Sequence, residues 1–214
     1  MSLPWHPAIL QRQRKNSVFL LPMETSGLKS ATWTVTGCGA AVIGKHGEKG
    51  IAQIAGITTG QVVDAGVRDS MNMGAAMAPA AFHTVMQNLK DLEITKEQLE
   101  GGWYDKIITG DLGKIGKQAL ADLLRNEGLE AEGFLMDCGV EIYDNQKQDT
   151  HAGGSGCGCS ALVLGALILP NIQAGIWKRV LFVPTGALLS TVSFNEGQTI
   201  PGIAHGVILE RMGK

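Results

Sequence analysis

The stretch 151–160 concentrates the groups that could bind or react: His151, Gly153, Gly154, Ser155, Gly156, Cys157, Gly158, Cys159 and Ser160. Consecutive glycines let a backbone pass close to a ligand with its N–H groups free. The apolar run that follows, 161–169, reads as a helix, so the stretch lies at a helix N-terminus. Partial positive charge there suits an anion such as a carboxylate or phosphate. The same position would lower the pKa of a thiol at Cys157 or Cys159. The alternative is a tight strand-to-helix turn whose small residues only allow close packing.

Four further groups bear on chemistry. Zinc held by Cys38, Cys138, Cys157, Cys159 and His151 fits the spacing poorly, because Cys157 and Cys159 are one residue apart and Cys38 is remote. A cysteine nucleophile with a histidine base would pair Cys157 or Cys38 with His151 or His205. Against it, free Cys commonly packs as a small apolar residue, and His205 in a glycine-rich strand reads as structural. Asp111 follows one strand and precedes one helix, so it is either an N-cap or a ligand contact at a strand C-terminus. The polar stretch 185–199, with Asn195 and Glu196, reads as a long loop of the functional kind.

The elements that must position these residues alternate. Residues 34–43 and 50–57 have a strand pattern, with 45–47 as a hairpin turn. A helix is expected over 79–92, where Phe82, Val85, Met86, Leu89 and Leu92 share one face. Thr95 and Gln98 form a capping box. A strand over 105–109 leads to an amphipathic helix over 114–127, with Ile115, Ala119, Leu120, Leu123 and Leu124 inside and Gly128 as its left-handed cap. A strand near 133–137 precedes the helix 159–173, which ends at Gly175. Its apolar content places it between layers. Strands over 179–184 and 203–210 complete the set. Alternating strands and helices imply a parallel sheet with right-handed crossovers.

One repeat is visible. Gly37, Val42 and Ile43 match Gly202, Val207 and Ile208 at a constant offset, which suggests two homologous halves of which the first is represented only by its last pieces. Residues 1–30 hold three of the seven prolines and the basic cluster Arg12, Arg14 and Lys15, with no sustained period, and read as an irregular segment.

The 214 residues are 44% hydrophobic and 18% charged, which supplies a core and excludes general disorder. A net charge of −2 gives no attraction to nucleic acid. No secretory signal is read, since the apolar run after the basic cluster is broken by Pro22. The run 161–169 is well short of the ~20 residues of a membrane span. The expected compartment is reducing, with the cysteines as thiols.

A resemblance joins these readings. Thr34, Val35, Thr36 and Gly37, then Asp64, Met73, Gly74 and 77–81 match the stage V sporulation protein AD family of endospore-forming bacteria. The match continues through 108–112, Asp137, Cys138, Gly139, 152–160, 185–190 and 200–207. The resemblance implies a thiolase-like α/β fold: a mixed, mostly parallel sheet with helices on both faces, as one half of a duplicated fold plus the last strands of the other half. Residues 31–60 would end the N-terminal half and 61–214 form the C-terminal half.

The resemblance also implies function. The expected ligand is dipicolinic acid as its calcium chelate, moved into the developing spore with other proteins of the same operon. No cofactor is expected beyond calcium in that chelate, and no metal site. The candidate ligand-binding residues are Asp111, His151, Gly153, Gly154, Ser155, Cys157 and Asn195. No catalytic residue is assigned, because the position of the catalytic His in related synthases corresponds to Gly110. The Asn of their Gly-Asn-Thr turn falls among Gly153, Gly154 and Ser155. The alternative activity is thiolase or ketoacyl-synthase acyl transfer from a CoA thioester, with Cys157 and His151. A truncated product without independent activity is a third reading. A half-fold would expose an apolar face, so a homo-oligomer, or pairing with the missing N-terminal half, is expected. The expected location is cytoplasmic or peripheral to the forespore inner membrane.

Overall fold

The computed structural model describes residues 29–45 and 48–213. The irregular segment expected over 1–30 lies almost wholly outside the described residues, as does most of the turn 45–47. The strands are β1 (Trp33–Thr34), β2 (Ala52–Thr58), β3 (Lys106–Thr109), β4 (Leu135–Asp137), β5 (Gly154–Ser155), β6 (Arg179–Val183), β7 (Thr185–Ala187), β8 (Gly202–Ala204) and β9 (Gly206–Arg211). The helices are α1 (Met73–Asp91), α2 (Lys96–Glu100), α3 (Gly113–Asn126), α4 (Cys138–Glu141), α5 (Cys159–Val163), α6 (Leu169–Ala174) and α7 (Thr191–Asn195). A π-helical turn, Leu164–Ile168, joins α5 to α6.

The central sheet has five strands in the order β2-β9-β6-β3-β4. β3 runs parallel to both β6 and β4. β9 is antiparallel to both β2 and β6. Four strands therefore point one way and β9 the other, a mixed α/β sheet rather than a wholly parallel one. Side chains alternate between two cores, as the period of a strand requires. Ile107, Leu181 and Ile208 pack on the face covered by α1 and α3. Ile108, Val180, Phe182 and Leu209 pack on the opposite face with Val163, Ile168 and Ile172 of the 159–174 helical stretch. Each fully buried side chain of this kind contributes about 1.5–3 kcal/mol.

α1 begins six residues before the expected start and runs through Pro79. Around Pro79 its buried residues are mostly alanine, Ala76, Ala78, Ala80 and Ala81, and this close packing outweighs the hydrogen bond that Pro79 cannot donate. Beneath it lies a buried polar relay unmarked in the sequence. The Tyr104 hydroxyl donates to Asn88 Oδ1 at 2.7 Å, and Asn88 Nδ2 donates to Thr58 Oγ1 at 2.9 Å. Burial pushes the Tyr104 hydroxyl up to about 12.

The capping box at Thr95 and Gln98 is present, and Gly128 follows α3 with φ +80°. Other expectations fail. The strand expected over 34–43 is two residues long, and β1 pairs in parallel with β5 rather than forming a hairpin with β2. Residues 36–45 have no regular structure and are exposed. Leu92 and Ile115, expected inside, are 45% and 40% exposed. The stretch 185–199 is not one long loop: it contains β7 and α7, the latter with a capping box at Ser190 and Ser193. The expected final strand is split at His205 into β8 and β9. The stretch 159–174 is helical as expected, but it buries one side, and Gly165, Pro170, Gln173 and Ala174 are exposed. It is not enclosed between layers. Among the described residues, no helix is long and apolar enough to cross a membrane.

Candidate functional site

β3 and β4 end side by side, in register from Ile107 with Leu135 to Thr109 with Asp137. β6 ends beside them at Val183, paired with Thr109. Gly110, Asp111, Asp137 and Thr185 therefore gather at the C-terminal edge of the three parallel strands, where open α/β sheets hold their ligands. The glycine-rich stretch crosses this edge. The Ser155 hydroxyl donates to Asp111 Oδ2 at 2.7 Å, and the Gly156 N–H donates to the same oxygen at 2.9 Å. The Thr185 hydroxyl donates to Asp111 Oδ1 at 3.2 Å.

The turn before the helix thus binds an anion belonging to the chain itself. Asp111 is not the N-cap of α3: Leu112 holds that position, with no side-chain cap. The capping work falls to Asp137, which was missed. Its carboxylate accepts from the N–H groups of Leu112 and Gly113 at 2.9 Å each, from Val140 N–H at 3.2 Å and from the Thr109 hydroxyl at 2.7 Å. Asp137 is fully buried, and burial raises its carboxyl to about 6 despite those donors, with the nearby Asp111 charge adding to the rise. An Asp at a strand end immediately before Cys138 and Gly139 is the N-cap signal that could have found it.

Packing explains much of the glycine content. Gly153 has φ +121°, and a Cβ there would lie 2.4 Å from the Gly139 carbonyl oxygen. At Gly154 a Cβ would lie 2.7 Å from both Ile142 and Val35 side-chain carbons. Both glycines are buried, Ser155 and Gly156 are half-buried, and Cys157 is exposed. β5 carries Gly154 and Ser155 and is held by β1, with Trp33 N–H on the Gly153 carbonyl and Val35 N–H on the Ser155 carbonyl, both at 2.8 Å.

The remaining candidates disperse. His151 sits at φ +52° and pairs through Nδ1 with Asp149 at 3.1 Å. Asn195 is exposed at the last position of α7 and shares no hydrogen bond with Asp111. His205 Nδ1 accepts the Gly60 N–H at 3.0 Å, a structural role. The expectation of a lowered thiol pKa fails at Cys159, which is buried beside Asp111 and Asp137. Burial, then those charges, push its thiol up. The same holds for Cys138, where burial is the first cause and Asp137 the second. Cys38 and Cys157 are exposed.

Gly110 has no room for a side chain. A Cβ would lie 2.5 Å from Thr185 N, 2.6 Å from Thr185 Oγ1 and 2.9 Å from Ser160 Oγ. A separate cavity of ≈660 Å³ opens at the other end of β6, lined by Trp103, Asp105, Lys178, Arg179, Glu210 and Arg211 among others. There the Arg179 guanidinium lies 4.5 Å from the centre of the Trp103 ring and pairs with Glu210.

Comparison with known proteins adds the lineage. Residues 12–210 match the sequence pattern of the family described as stage V sporulation protein AD. The chain is 43% identical over 210 residues to stage V sporulation protein AD of Bacillus subtilis (strain 168), a match that covers 97% of this chain and 58% of that relative. The chain therefore spans little more than half the length of the curated relative it matches. A match of this extent and identity shows that the chain belongs to the stage V sporulation protein AD family.

Proposed function

We propose that the chain contributes to a sporulation protein that binds dipicolinic acid, as its calcium chelate, and supports its uptake into the developing spore. The observation that carries this reading is the meeting of Ser155, Gly156 and Thr185 around Asp111 at the C-terminal edge of three parallel strands. Strand termini converge there, and Ser155, Gly156 and Cys157 retain exposed surface. Asp111 orders this lip, and the ligand meets the outer side of the turn. Membership in a sporulation family supports the role, and the mixed sheet with helices on both faces supports the thiolase-like architecture.

Acyl transfer from a CoA thioester has less support. The synthase histidine position is Gly110, where Thr185 and Ser160 leave no space. His151 Nδ1 pairs with Asp149 at 3.1 Å, and among the described residues no hydrogen bond joins His151 to Cys157.

Calorimetric titration with dipicolinate and calcium tests the reading. The chain is titrated alone and together with the polypeptide that supplies the part of the Bacillus subtilis relative it does not match. Heat of binding that diminishes in Ser155→Ala is expected. An absence of heat in both arms overturns the proposal.

A further inference from the structure

A second concave site lies at the N-terminal end of β6, away from Asp111. Its cavity of ≈660 Å³ is of the size that holds a small organic molecule, roughly 300–1,000 Å³. Three strand ends form its floor. The Asp105 N–H, just ahead of β3, donates to the Arg179 carbonyl at the start of β6 at 2.9 Å, and the Arg211 N–H at the end of β9 donates to the Lys178 carbonyl at 2.8 Å. The groups that line the cavity are therefore held by the central sheet rather than by a free loop.

The two carboxylates of the cavity are already engaged. Asp105 Oδ2 accepts the backbone N–H groups of Lys178 and Arg179, and Glu210 accepts Arg179 Nε and Gln53 Nε2. The three cations are not matched in the same way. Arg179 stands with its guanidinium carbon 4.5 Å from the centre of the Trp103 ring, and Glu210 takes its Nε. These two contacts hold the guanidinium in place, while Nη1 and Nη2 find no acceptor among the described residues. Lys178 and Arg211 are exposed and form no ion pair among the described residues. The Arg211 guanidinium rests on Gly175, where a Cβ would lie 2.4 Å from Nη1. Three cations against two occupied carboxylates make the cleft positive in a chain whose net charge is −2.

We infer that this cleft binds the phosphate group of a small soluble organic phosphate. A planar guanidinium whose two terminal nitrogens are free matches two oxygens of one phosphoryl group. Lys178 and Arg211 add charge for a group that carries about −1.5 to −2 near neutral pH, whereas a lone carboxylate carries a single charge. Trp103 and Met212 line the same cavity and offer apolar surface to the organic part. Calcium dipicolinate is neutral, because the two charges of the metal cancel those of the dicarboxylate, so the positive cleft does not attract it. The inference does not depend on that ligand.

The test is titration of the isotopically labelled chain with pyrophosphate at about 0.15 M salt, where long-range attraction is screened. Saturable shifts are expected at the Trp103 indole N–H and at the backbone amides of Lys178, Arg179 and Arg211. Lys178→Ala and Arg211→Ala are each expected to weaken binding by about fivefold, the weight of one charge-assisted hydrogen bond. Both side chains are exposed, so the thermal midpoint of the unliganded chain is expected to stay where it is, and Lys178→Arg, which keeps the charge, is expected to retain binding. A second arm uses sedimentation with phosphatidylglycerol vesicles to separate a soluble phosphate from a lipid headgroup. Four outcomes overturn the inference: no saturable shift, shifts confined to Ser155 and Gly156, equal affinity in both alanine variants, or binding to the vesicles without a response to pyrophosphate.

Discussion

Ser155 Oγ and Asp111 Oδ2 lie 2.7 Å apart across 44 positions of sequence, and this bond fastens the glycine-rich turn to the end of β3. Ser155→Ala removes one of three side-chain and backbone donors to that carboxylate and is expected to cost about 1 kcal/mol of stability. Asp111→Ala leaves the Gly156 N–H and the hydroxyls of Ser155 and Thr185 without their acceptor and is expected to cost about 2–3 kcal/mol. Urea unfolding measures both. A loss in Asp111→Ala no larger than that in Ser155→Ala would show that the bonds from Gly156 and Thr185 add nothing of their own.

Asp137 gives the pH dependence. Its carboxyl is raised from 3.8 to about 6, so between those values the folded chain holds a proton that the unfolded chain has released. Its contribution to stability is therefore complete below about pH 4, falls as pH rises toward about 6, and is constant above that. Asp137→Asn cannot titrate and loses acceptor capacity for Leu112, Gly113 and Val140. It is expected to be less stable than the parent, by an amount that shrinks as pH is raised from 4.5 to 7. Chemical unfolding at the two pH values checks this, and a gap that widens with pH contradicts it.

Gly110→Ala is expected to destabilise the chain by about 2 kcal/mol or more through overpacking, because its Cβ would meet the Thr185 backbone nitrogen at 2.5 Å. Gly133→Ala is the control: a Cβ there has nothing within 4 Å, and the change is expected to lie within about 0.5 kcal/mol of neutral. Thermal unfolding of the two variants side by side measures the contrast.

Alkylation should divide the four cysteines into two pairs. Cys38 and Cys157 are exposed, whereas Cys138 and Cys159 are buried with their thiols pushed up in pKa. Mass spectrometry after brief treatment with iodoacetamide at neutral pH is expected to show label on Cys38 and Cys157 in the native chain. All four are expected to react in denaturant. Native labelling of Cys159 would contradict the packing of the helix start.

Local patterns were legible where local rules decide. The capping box at Thr95, the amphipathic period of α3 and the left-handed cap at Gly128 depend on neighbours within a few residues. Long-range pairing was not. Residues 36–43 have the composition of a strand, but a strand requires a partner edge, and none reaches this one among the described residues. The mixed direction of the sheet follows from the family resemblance and not from local pattern, since nothing in the composition of residues 206–211 says that β9 reverses between β2 and β6. At the site, glycines at 153 and 154 announced close approach without saying whether a ligand or Gly139 and Val35 would come near. The partners of Asp111, Ser155 and Thr185, are remote in sequence, so a helix cap is the simpler expectation from local pattern. Asp137 went unnoticed because its donors come from α3 and α4 at once.

The site assignment is tested most directly by following backbone amide signals during titration with calcium dipicolinate. The chain is isotopically labelled and titrated both alone and in the presence of the part of the relative that it does not match. Shifts concentrated at Ser155, Gly156, Cys157 and Thr185 are the predicted result. Shifts confined to Trp103, Lys178 and Arg211 at the far end of β6, or none at all, would contradict it.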